Sequence, residues 1–274
     1  MRVWIGTAGY SYPDWRGGFY PHELAASQML GFYSQSFPFV ELNTTFHRCP
    51  SKATIRRMAQ QAPPGFRFAL KVPHSITHSL SDRDVGAFRD SIDALDGKLS
   101  MLVAQFPPSF HHSLRNSGWL THLANVFAEQ PLGFEFRHWS WSRPDVLPWL
   151  DDLGVTLISV DVPSIPILYP RGLVRTGKTI YVRLHSRNPE SWYGPETERH
   201  DYVFTDHQLH EWADLLERAS VHCNEAYLVF NNGRDAQSVK DGLRMAEILR
   251  ERTWLTVSPA FPAIEPQQLS LFDA

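Results

Sequence analysis

The sequence predicts an α/β protein built as a single (β/α)8 barrel of the TIM type. Segments with alternating apolar and polar residues recur along the chain, and helical spacing follows most of them. Each of these segments has one apolar face, while the opposite face becomes polar toward the carboxyl end. A length of 274 residues with 43% hydrophobic residues fits one domain of this kind.

Eight segments show the alternation expected of strands. Residues 132–141 show it most clearly, since Phe134 and Phe136 fall on one face. Glu135 and Arg137 fall on the other face, so an acid and a base share one side of the strand. In a closed parallel barrel the apolar faces lie under helices and the polar ends meet at the mouth. The predicted strands are residues 2–10, 39–47, 66–73, 100–106, 132–141, 155–162, 179–187 and 225–230.

Helical segments separate most of these strands. Ser51 is predicted to cap a helix that ends before Pro63 and Pro64. Residues 164–178 look irregular where a helix is expected, so the barrel is predicted to be somewhat irregular after its sixth strand. Residues 188–205 are predicted to form a loop over the mouth. The predicted helices are residues 24–37, 52–62, 82–95, 116–129, 144–153, 206–220 and 236–251.

Two loops carry side chains of types that often contact ligands. Residues 10–21 are rich in aromatic rings, and Tyr10 and Trp15 suit stacking on a base or a sugar. The alternative is that these rings pack into one end of the barrel. His74 and His78 would share a helical face if their loop were helical, but the preceding proline predicts that it begins as coil.

Composition narrows the possible partners and location. A formal net charge of −3 gives no general attraction to nucleic acid or to anionic membranes, so a polyanion would need a local patch. Cys49 and Cys223 are far apart and lack metal-ligand spacing. Residues 3–6 look like a strand rather than part of a signal peptide, and no apolar run is long enough to span a bilayer. We therefore expect a cytoplasmic protein without a membrane partner.

The chain is predicted to divide into a barrel domain, residues 1–253, and a Pro-containing linker with a C-terminal peptide, residues 254–274. The final peptide resembles the one by which bacterial replication and repair proteins bind the sliding clamp. Leu271 and Phe272 suit an apolar pocket, and Gln268 suits a hydrogen bond at its rim. The alternative is an apolar end that packs on its own barrel. The predicted clamp-binding residues are Gln268, Leu269, Leu271 and Phe272.

Several segments together resemble the YecE-like family, the domain of unknown function seventy-two. They include Glu135-Phe136-Arg137-His138 and Tyr181-Val182-Arg183-Leu184-His185. The full set is residues 5–15, 40–46, 66–73, 105–110, 135–138 with Trp141, 181–185 and 230–232. The resemblance implies a TIM-type barrel and no settled reaction, and Ala8 stands where relatives often have Ser. It also implies that the family's signature positions are Glu41, Lys71, Glu135, Arg137, Arg183, His185 and Asn231.

Polar residues at the strand ends are expected to converge at the mouth. Their cations suit a phosphate or a carboxylate. The predicted substrate-binding residues are Lys71, Arg137, Arg183, Asn43, Gln105, Asn231, Tyr10 and Trp15. The predicted catalytic residues are Glu135, His185, Glu41 and Asp161, with His185 or Glu135 as general acid or base. The alternative is an ion-pair network that only closes the barrel.

The sequence does not identify a cofactor. The carboxylates, His185 and Asn231 offer ligands to a divalent metal. A metal is nevertheless not favoured, because Lys71, Arg137 and Arg183 would compete for the carboxylates and repel a cation.

The cationic mouth, the aromatic loops and the tail favour an enzyme that acts on a phosphate-bearing substrate. The first hypothesis is nucleic acid in repair or replication, with the sliding clamp as partner. The second is an isomerase or lyase acting on a small sugar or carboxylate, so the reaction class stays open between these and a nuclease-like hydrolase. The third is a non-catalytic module associated with nucleic acid.

Overall fold

The computed structural model describes residues 1–262, except for the side chains of residues 196 and 197. In this part of the chain the fold is α/β, with two five-stranded sheets whose ladders are parallel. The strand orders are β10-β1-β9-β8-β7 and β2-β3-β4-β5-β6. The strands are β1 (Arg2–Thr7), β2 (Phe39–Leu42), β3 (Arg67–Lys71), β4 (Leu99–Gln105), β5 (Leu132–Glu135), β6 (Thr156–Leu157), β7 (Ser159–Asp161), β8 (Thr179–Leu184), β9 (Glu225–Phe230) and β10 (Thr256–Val257).

Helices follow most strands, and side-chain caps set where two of the longer ones begin. The Ser51 hydroxyl accepts a hydrogen bond from the Thr54 N–H, and Thr205 forms a capping box with Gln208. Within residues 1–262, no helix combines the length and the apolar character needed to cross a bilayer. The α-helices are α1 (Met29–Ser34), α2 (Thr44–His47), α3 (Lys52–Gln61), α4 (His74–Thr77), α5 (Val85–Asp93), α6 (Leu114–Val126), α7 (Val146–Asp152), α8 (Glu196–Arg199), α9 (Asp206–Ala219) and α10 (Gln237–Arg250).

Two strands are shorter at their carboxyl ends than the alternation predicts. The predicted strand 39–47 ends at Leu42, because the Thr45 hydroxyl reaches the Leu42 carbonyl oxygen at 3.0 Å and the chain turns into α2. The predicted strand 132–141 ends at Glu135. There the His138 ring accepts a hydrogen bond from the Ser140 N–H, which favours a turn over an extended chain.

The expectation that the loop after Pro73 begins as coil is wrong. The Pro73 carbonyl accepts hydrogen bonds from the N–H groups of Ile76 and Thr77, at 3.0 and 3.2 Å, and α4 follows directly. Proline is tolerated at a helix start, because its missing N–H has no intrahelical partner there. The rings of His74 and His78 therefore stack, with centroids 4.6 Å apart.

Two irregular segments pack on the sheets. Residues 164–178 form no helix, as the sequence predicts, and the Thr176 hydroxyl replaces part of a ladder by bonding the Val155 carbonyl and the Leu157 N–H, each at 2.7 Å. Beyond residue 253, β10 pairs with β1 and the Phe261 N–H donates to the Ser34 carbonyl at 2.9 Å. The chain thus stays packed on the sheets past the predicted end of the barrel domain.

Apolar side chains form two buried clusters. The larger one joins the outer faces of the strands to the helices. The smaller one takes members from both sheets, so it lies between them. Its centre is aromatic: the Phe39 ring in one sheet contacts Tyr181 and Tyr227 of the other, at centroid distances of 6.3 and 5.1 Å.

The two sheets meet where β1 approaches β2. Ala8 and Glu41 form a parallel bridge, and a Cβ at Gly6 would lie 2.2 Å from the Phe39 carbonyl oxygen, so only glycine fits there. The buried Tyr33 hydroxyl accepts from the Thr7 N–H at 2.9 Å and donates to the Phe39 carbonyl at 3.0 Å. One phenol thereby satisfies backbone groups on both strands.

We predict that Tyr33→Phe destabilises the protein by about 1–3 kcal/mol, because two buried backbone groups lose their partner. Urea unfolding measures the change. Tyr193→Phe is the matched control, since Tyr193 is 63% exposed, and it should leave the unfolding midpoint unchanged. An equal midpoint for both variants would contradict the role of the Tyr33 hydroxyl at this junction.

Candidate functional site

Three strands bring charged side chains together at their carboxyl ends. Arg183 of β8 lies between Glu41 of β2 and Glu135, the last residue of β5. Its Nη2 is 2.8 Å from Glu41 Oε1, and its Nη1 donates to Glu135 Oε2. All three side chains are at most 1% exposed. With Arg137 and His185 they form what we call the charged centre.

Glu135 is held in its ionised form by its neighbours. Burial raises the pKa of Glu135, but the guanidinium groups of Arg137 and Arg183 more than offset this and hold the pKa well below its usual range. Tyr181 donates a hydrogen bond to Glu41 Oε2 at 2.9 Å. Burial and the Glu41 charge raise the pKa of Tyr181 well above its usual value, so it stays a donor.

His185 is neutral in this setting. Burial, and then the positive charge of Arg137, lower its pKa well below the usual value. Nδ1 lies 2.9 Å from Asn231 Nδ2, and Nε2 lies 3.3 Å from Arg137 Nη2 and 3.4 Å from Glu135 Oε1. With the Asn231 amide donating to Nδ1, the ring proton is on Nε2 and is directed to the Glu135 carboxylate. The Arg137 guanidinium has no acceptor, so its contact with Nε2 is then not a hydrogen bond.

Arg137 joins the charged centre to residues 188–205, the covering segment. Its Nε is 2.7 Å from Glu135 Oε1, and its guanidinium lies 5.5 Å from the Trp192 ring centroid. The guanidinium of Arg199 lies 5.9 Å from the same ring. Trp192 is only 4% exposed, so it separates the charged centre from solvent while contacting two cations.

Helix α10 and the end of β9 anchor the carboxyl end of the covering segment. Asp241 accepts hydrogen bonds from the Phe204 N–H at 3.1 Å and from the Asn232 amide at 2.5 Å. The same amide donates to the Tyr202 carbonyl at 2.7 Å. Burial raises the pKa of Asp241 to about 6, so this anchor is ionised at neutral pH.

Three buried polar atoms of the covering segment have no hydrogen-bond partner among the described residues. They are Ser191 Oγ, Arg199 Nε and His200 Nδ1. The His200 ring lies 6.2 Å from the His185 ring, and burial, followed by the Arg137 charge, lowers its pKa to about 4. Unpartnered buried polar groups of this kind are expected where a ligand or water completes the hydrogen bonding.

Lys71, the last residue of β3, faces the charged centre from another side. Its Nζ lies 3.9 Å from the Phe46 ring centroid. Burial, and then Arg183, lower its pKa to about 8, although Glu135 and Glu41 oppose the shift. Lys71 is therefore mostly protonated at neutral pH, but it loses its proton more readily than an ordinary lysine.

Asp161 does not join the other predicted catalytic residues. Its buried carboxylate accepts from Arg187 Nη2 at 2.8 Å and from Trp212 Nε1 at 2.5 Å. Trp212 belongs to α9 and to the cluster under the helices, so Asp161 points to the outer side of the sheet. Alternation is unbroken along this strand: Ile158 lies in the cluster between the sheets, Val160 pairs with Arg183, and Asp161 pairs with Leu184 of the outer cluster. The prediction for Asp161 is wrong because it took the apolar residues of this strand as its outer face.

Of the other predicted binding residues, some lie near the charged centre and others pack in the aromatic core. Asn43 follows β2 with a buried Oδ1 that has no partner within residues 1–262, and Gln105 lies opposite Glu135 in the β4–β5 ladder. Trp15 is fully buried among aromatic rings and donates to the Gly233 carbonyl, which is the packing alternative. Tyr10 is partly buried, with its ring 6.1 Å from Tyr33.

Tyr181 and Arg199 are parts of the site that the sequence analysis did not assign. Tyr181 lies two and four residues before Arg183 and His185 on the same face of β8, so alternation contained the signal. Arg199 is the last residue of the four-residue helix α8, in a segment that the sequence predicts as a loop, so no periodicity oriented it. Among the described residues there is no group of three or more His, Cys, Asp or Glu placed to hold a metal ion.

A cavity of about 380 Å³ is bordered by Arg67, Leu99, Thr179 and Glu225, the first residues of their strands. It therefore lies at the amino ends of the strands, opposite the charged centre. We place the candidate site at the carboxyl ends, because the charges and the unpartnered polar atoms are there.

The comparison with protein families fits this geometry. The family model "Protein of unknown function DUF72" matches residues 4–266. The chain belongs to the DUF72 family. The family comparison thus confirms the resemblance seen in the sequence, and it brings no assigned reaction.

Two curated proteins of the UPF0759 group are similar to this DUF72 chain. UPF0759 protein YunF of Bacillus subtilis is 25% identical over 293 residues, covering 98% of this chain and all of YunF. UPF0759 protein YecE of Escherichia coli is 26% identical over 140 residues, covering 50% of this chain and 48% of YecE.

Solved DUF72 structures share the fold. A DUF72 family protein from Thermotoga maritima is 34% identical, with a TM-score of 0.85 over 92% of this chain and all of that one. A DUF72 family protein from Enterococcus faecalis has a TM-score of 0.81 at 23% identity, covering 95% and 98% of the two chains. The second likeness is one of fold alone.

We predict that Arg183→Met destabilises the protein by about 3–5 kcal/mol near neutral pH, because two buried carboxylates lose their shared partner. The loss should shrink as the pH falls, since protonation relieves the unpaired charges in the variant. In the wild type the depressed pKa of Glu135 gives stability that is present above the unfolded-state pKa and lost on acidification. Chemical unfolding across the pH range measures both effects.

Arg244→Met is the matched control. Arg244 also pairs with two carboxylates, those of Asp206 and Glu247, but it is 45% exposed. We expect little change in its unfolding midpoint at any pH. A pH-independent loss in Arg183→Met would show that the guanidinium acts by packing rather than by charge.

Proposed function

We propose that this DUF72 protein is an enzyme that binds a small substrate through a phosphate or carboxylate group at the charged centre. The observation that carries the proposal is a surplus of positive charge. Glu41 and Glu135 are matched by Arg183 and Arg137, yet Lys71 and Arg199 also lie close to the same centre. An anionic ligand would balance this charge and supply acceptors for the unpartnered donors.

Burial favours a small ligand. Trp192 covers the charged centre, and the covering segment is held at its carboxyl end by Asp241. A substrate would reach the site when this segment moves, as substrate-binding loops commonly do. A nucleic-acid duplex is poorly suited to such an enclosed site.

The nucleic-acid part of the first hypothesis stays a prediction. So does the sliding-clamp peptide, because Gln268, Leu269, Leu271 and Phe272 lie outside the described residues. The second hypothesis, an isomerase or lyase on a small anionic compound, agrees better with the burial of the charged centre.

Glu135 and His185 suit acid–base chemistry in complementary forms. Glu135 is ionised, and its Oε1 lies 3.4 Å from His185 Nε2, so we assign it the role of general base beside the histidine. Neutral His185 can donate its Nε2–H to an oxygen that becomes negative during reaction. This pairing suits removal of a proton next to a carbonyl group.

We also infer that the two sheets are parts of one closed (β/α)8 barrel of the TIM type. The Ala8–Glu41 bridge joins β1 to β2, and Ile158 continues β6 into β7. A cluster shared by both sheets and a charged centre at the carboxyl strand ends support this view. Active sites of such barrels lie at that end.

We predict that sulfate and oxalate bind the wild-type protein and that Arg137→Gln weakens both by at least tenfold, because a contacting guanidinium is lost. Isothermal titration calorimetry at low salt measures the affinities. Arg143→Gln is the control, since Arg143 is exposed and pairs only with Asp145 among the described residues. Absence of binding of either anion to the wild type would contradict the proposal.

The same titrations test the contribution of Lys71. Both anions keep a constant charge above neutral pH, so their affinity should fall as the pH rises through the Lys71 pKa of about 8. The slope should disappear in Lys71→Met. If the wild type shows no slope, Lys71 does not face the bound anion.

A further inference from the structure

We propose that Lys71 is a nucleophile that forms an imine with the carbonyl carbon of an anionic aldehyde or ketone. The inference rests on the proposed function for the anion site and names the substrate class more closely. It assigns the anion to Arg137 and Arg199, and the reacting carbon to the Lys71 amine.

The surroundings of Lys71 differ from those of the other cations at the site. Within residues 1–262, no hydrogen bond or ion pair engages its Nζ, whereas Arg137 and Arg183 each contact Glu135. The nearest defined contact is the face of Phe46, 3.9 Å from Nζ. An amine kept free of partners and packed on an apolar wall is available to a substrate.

Lys98 shows what a structural lysine looks like in this protein. Its Nζ donates to the carbonyls of Ala59, Ala62 and Pro63 at 2.5, 2.8 and 3.4 Å. All three donors of that ammonium are used to tie α3 and its end to the chain before β4. Lys71 makes no comparable set, so holding the fold together does not account for its position.

Burial of Lys71 favours the neutral amine, which is the nucleophilic form. Arg183 and Arg137 oppose its protonation, while Glu135 and Glu41 favour it, and burial tips the balance toward a pKa of about 8. Roughly one molecule in ten then has the free amine at neutral pH, against well below one in a thousand for an ordinary lysine.

The histidines of α4 border the same space. His78 lies 5.1 Å from the Phe46 ring, between centroids, and burial, His74 and Lys71 lower its pKa to about 4. It is therefore neutral and leaves Lys71 without an additional cation at neutral pH. His74 stacks on His78 and does not itself pair with Lys71.

The proposed step forms one by-product, water, and needs no further reactant. The Nζ lone pair of Lys71 attacks the carbonyl carbon, and one amine proton moves to the oxygen to give a carbinolamine. The second amine proton leaves with that oxygen as water, which gives the imine. Glu135 is placed in the same centre to take a proton from the carbon next to the imine.

Reductive trapping tests this directly. The probes are glyoxylate, which carries a carboxylate, and glycolaldehyde phosphate, each with sodium cyanoborohydride, which reduces an imine to a stable secondary amine. The chain contains five lysines, Lys52, Lys71, Lys98, Lys178 and Lys240, so peptide mass spectrometry can assign every adduct. We expect Lys71 to be labelled at least tenfold faster than Lys178 or Lys240, and sulfate to compete.

Glycolaldehyde is the matched control, because it has the same aldehyde without the anion. Its preference for Lys71 should be at least tenfold smaller than that of the anionic probes, because only the larger fraction of free amine then favours this lysine. Lys71→Arg keeps the charge, so it should still bind sulfate and oxalate but lose the selective adduct. Preference for glyoxylate or for the phosphate would identify the anion. Lys98 should stay unlabelled by all probes.

The outcomes separate the two proposals. If sulfate binds but neither anionic aldehyde labels Lys71 faster than the exposed lysines, the imine is wrong and the anion site stands. If sulfate does not bind, the anion site fails, whatever the labelling. Equal labelling of Lys71 by glycolaldehyde and by the anionic probes would also overturn the substrate class.

Discussion

A guanidinium buried between two carboxylates is the interaction on which the charged centre depends. Arg183 comes from one sheet and its partners, Glu41 and Glu135, from the other, so the pairing also holds the sheets together at their carboxyl ends. Removing either kind of charge alone leaves the other unmatched in a place that water does not reach. The register of three strands is therefore linked to the electrostatics of the site.

The ion pairs do not use all the charge that the fold brings to this end. A network that served only to close the sheets would need as many cations as carboxylates, and Arg183 with Arg137 already matches Glu41 and Glu135. Lys71 and Arg199 are additional, and burial costs Lys71 solvation. Such a cost is usual at sites where a ligand supplies the missing charge, which favours a functional interpretation over a purely structural one.

Alternation of residues predicted the parallel α/β fold and most of the charged centre, because side-chain direction in a strand depends only on local geometry. Glu135, Arg183 and His185 come together as expected. The same rule gave the wrong face for Asp161, because the apolar residues Ile158 and Val160 face inward here and leave Asp161 on the side of the helices. It also gave no orientation for Arg199, because the apolar residues around Arg199 show no regular spacing in the sequence.

Local interactions account for the remaining differences. The predicted strands beyond Leu42 and Glu135 end early because Thr45 and His138 bond their own backbone, a preference that alternation does not encode. Trp15 belongs to an aromatic cluster whose existence depends on α1 folding back on residues 10–21, a tertiary effect. The identity of a substrate depends on the covering segment. The sequence of this segment shows neither a helical nor a strand period, so it gave no prediction of side-chain directions there.

The most direct test of the surplus charge is a crystal structure of the protein soaked in selenate, with selenium located by its anomalous scattering. The account predicts a selenium peak at the carboxyl ends of the strands, within hydrogen-bond distance of Arg137 or Arg199 and on the same side as Lys71. Selenium peaks confined to exposed arginines, with none beside the charged centre, would contradict it.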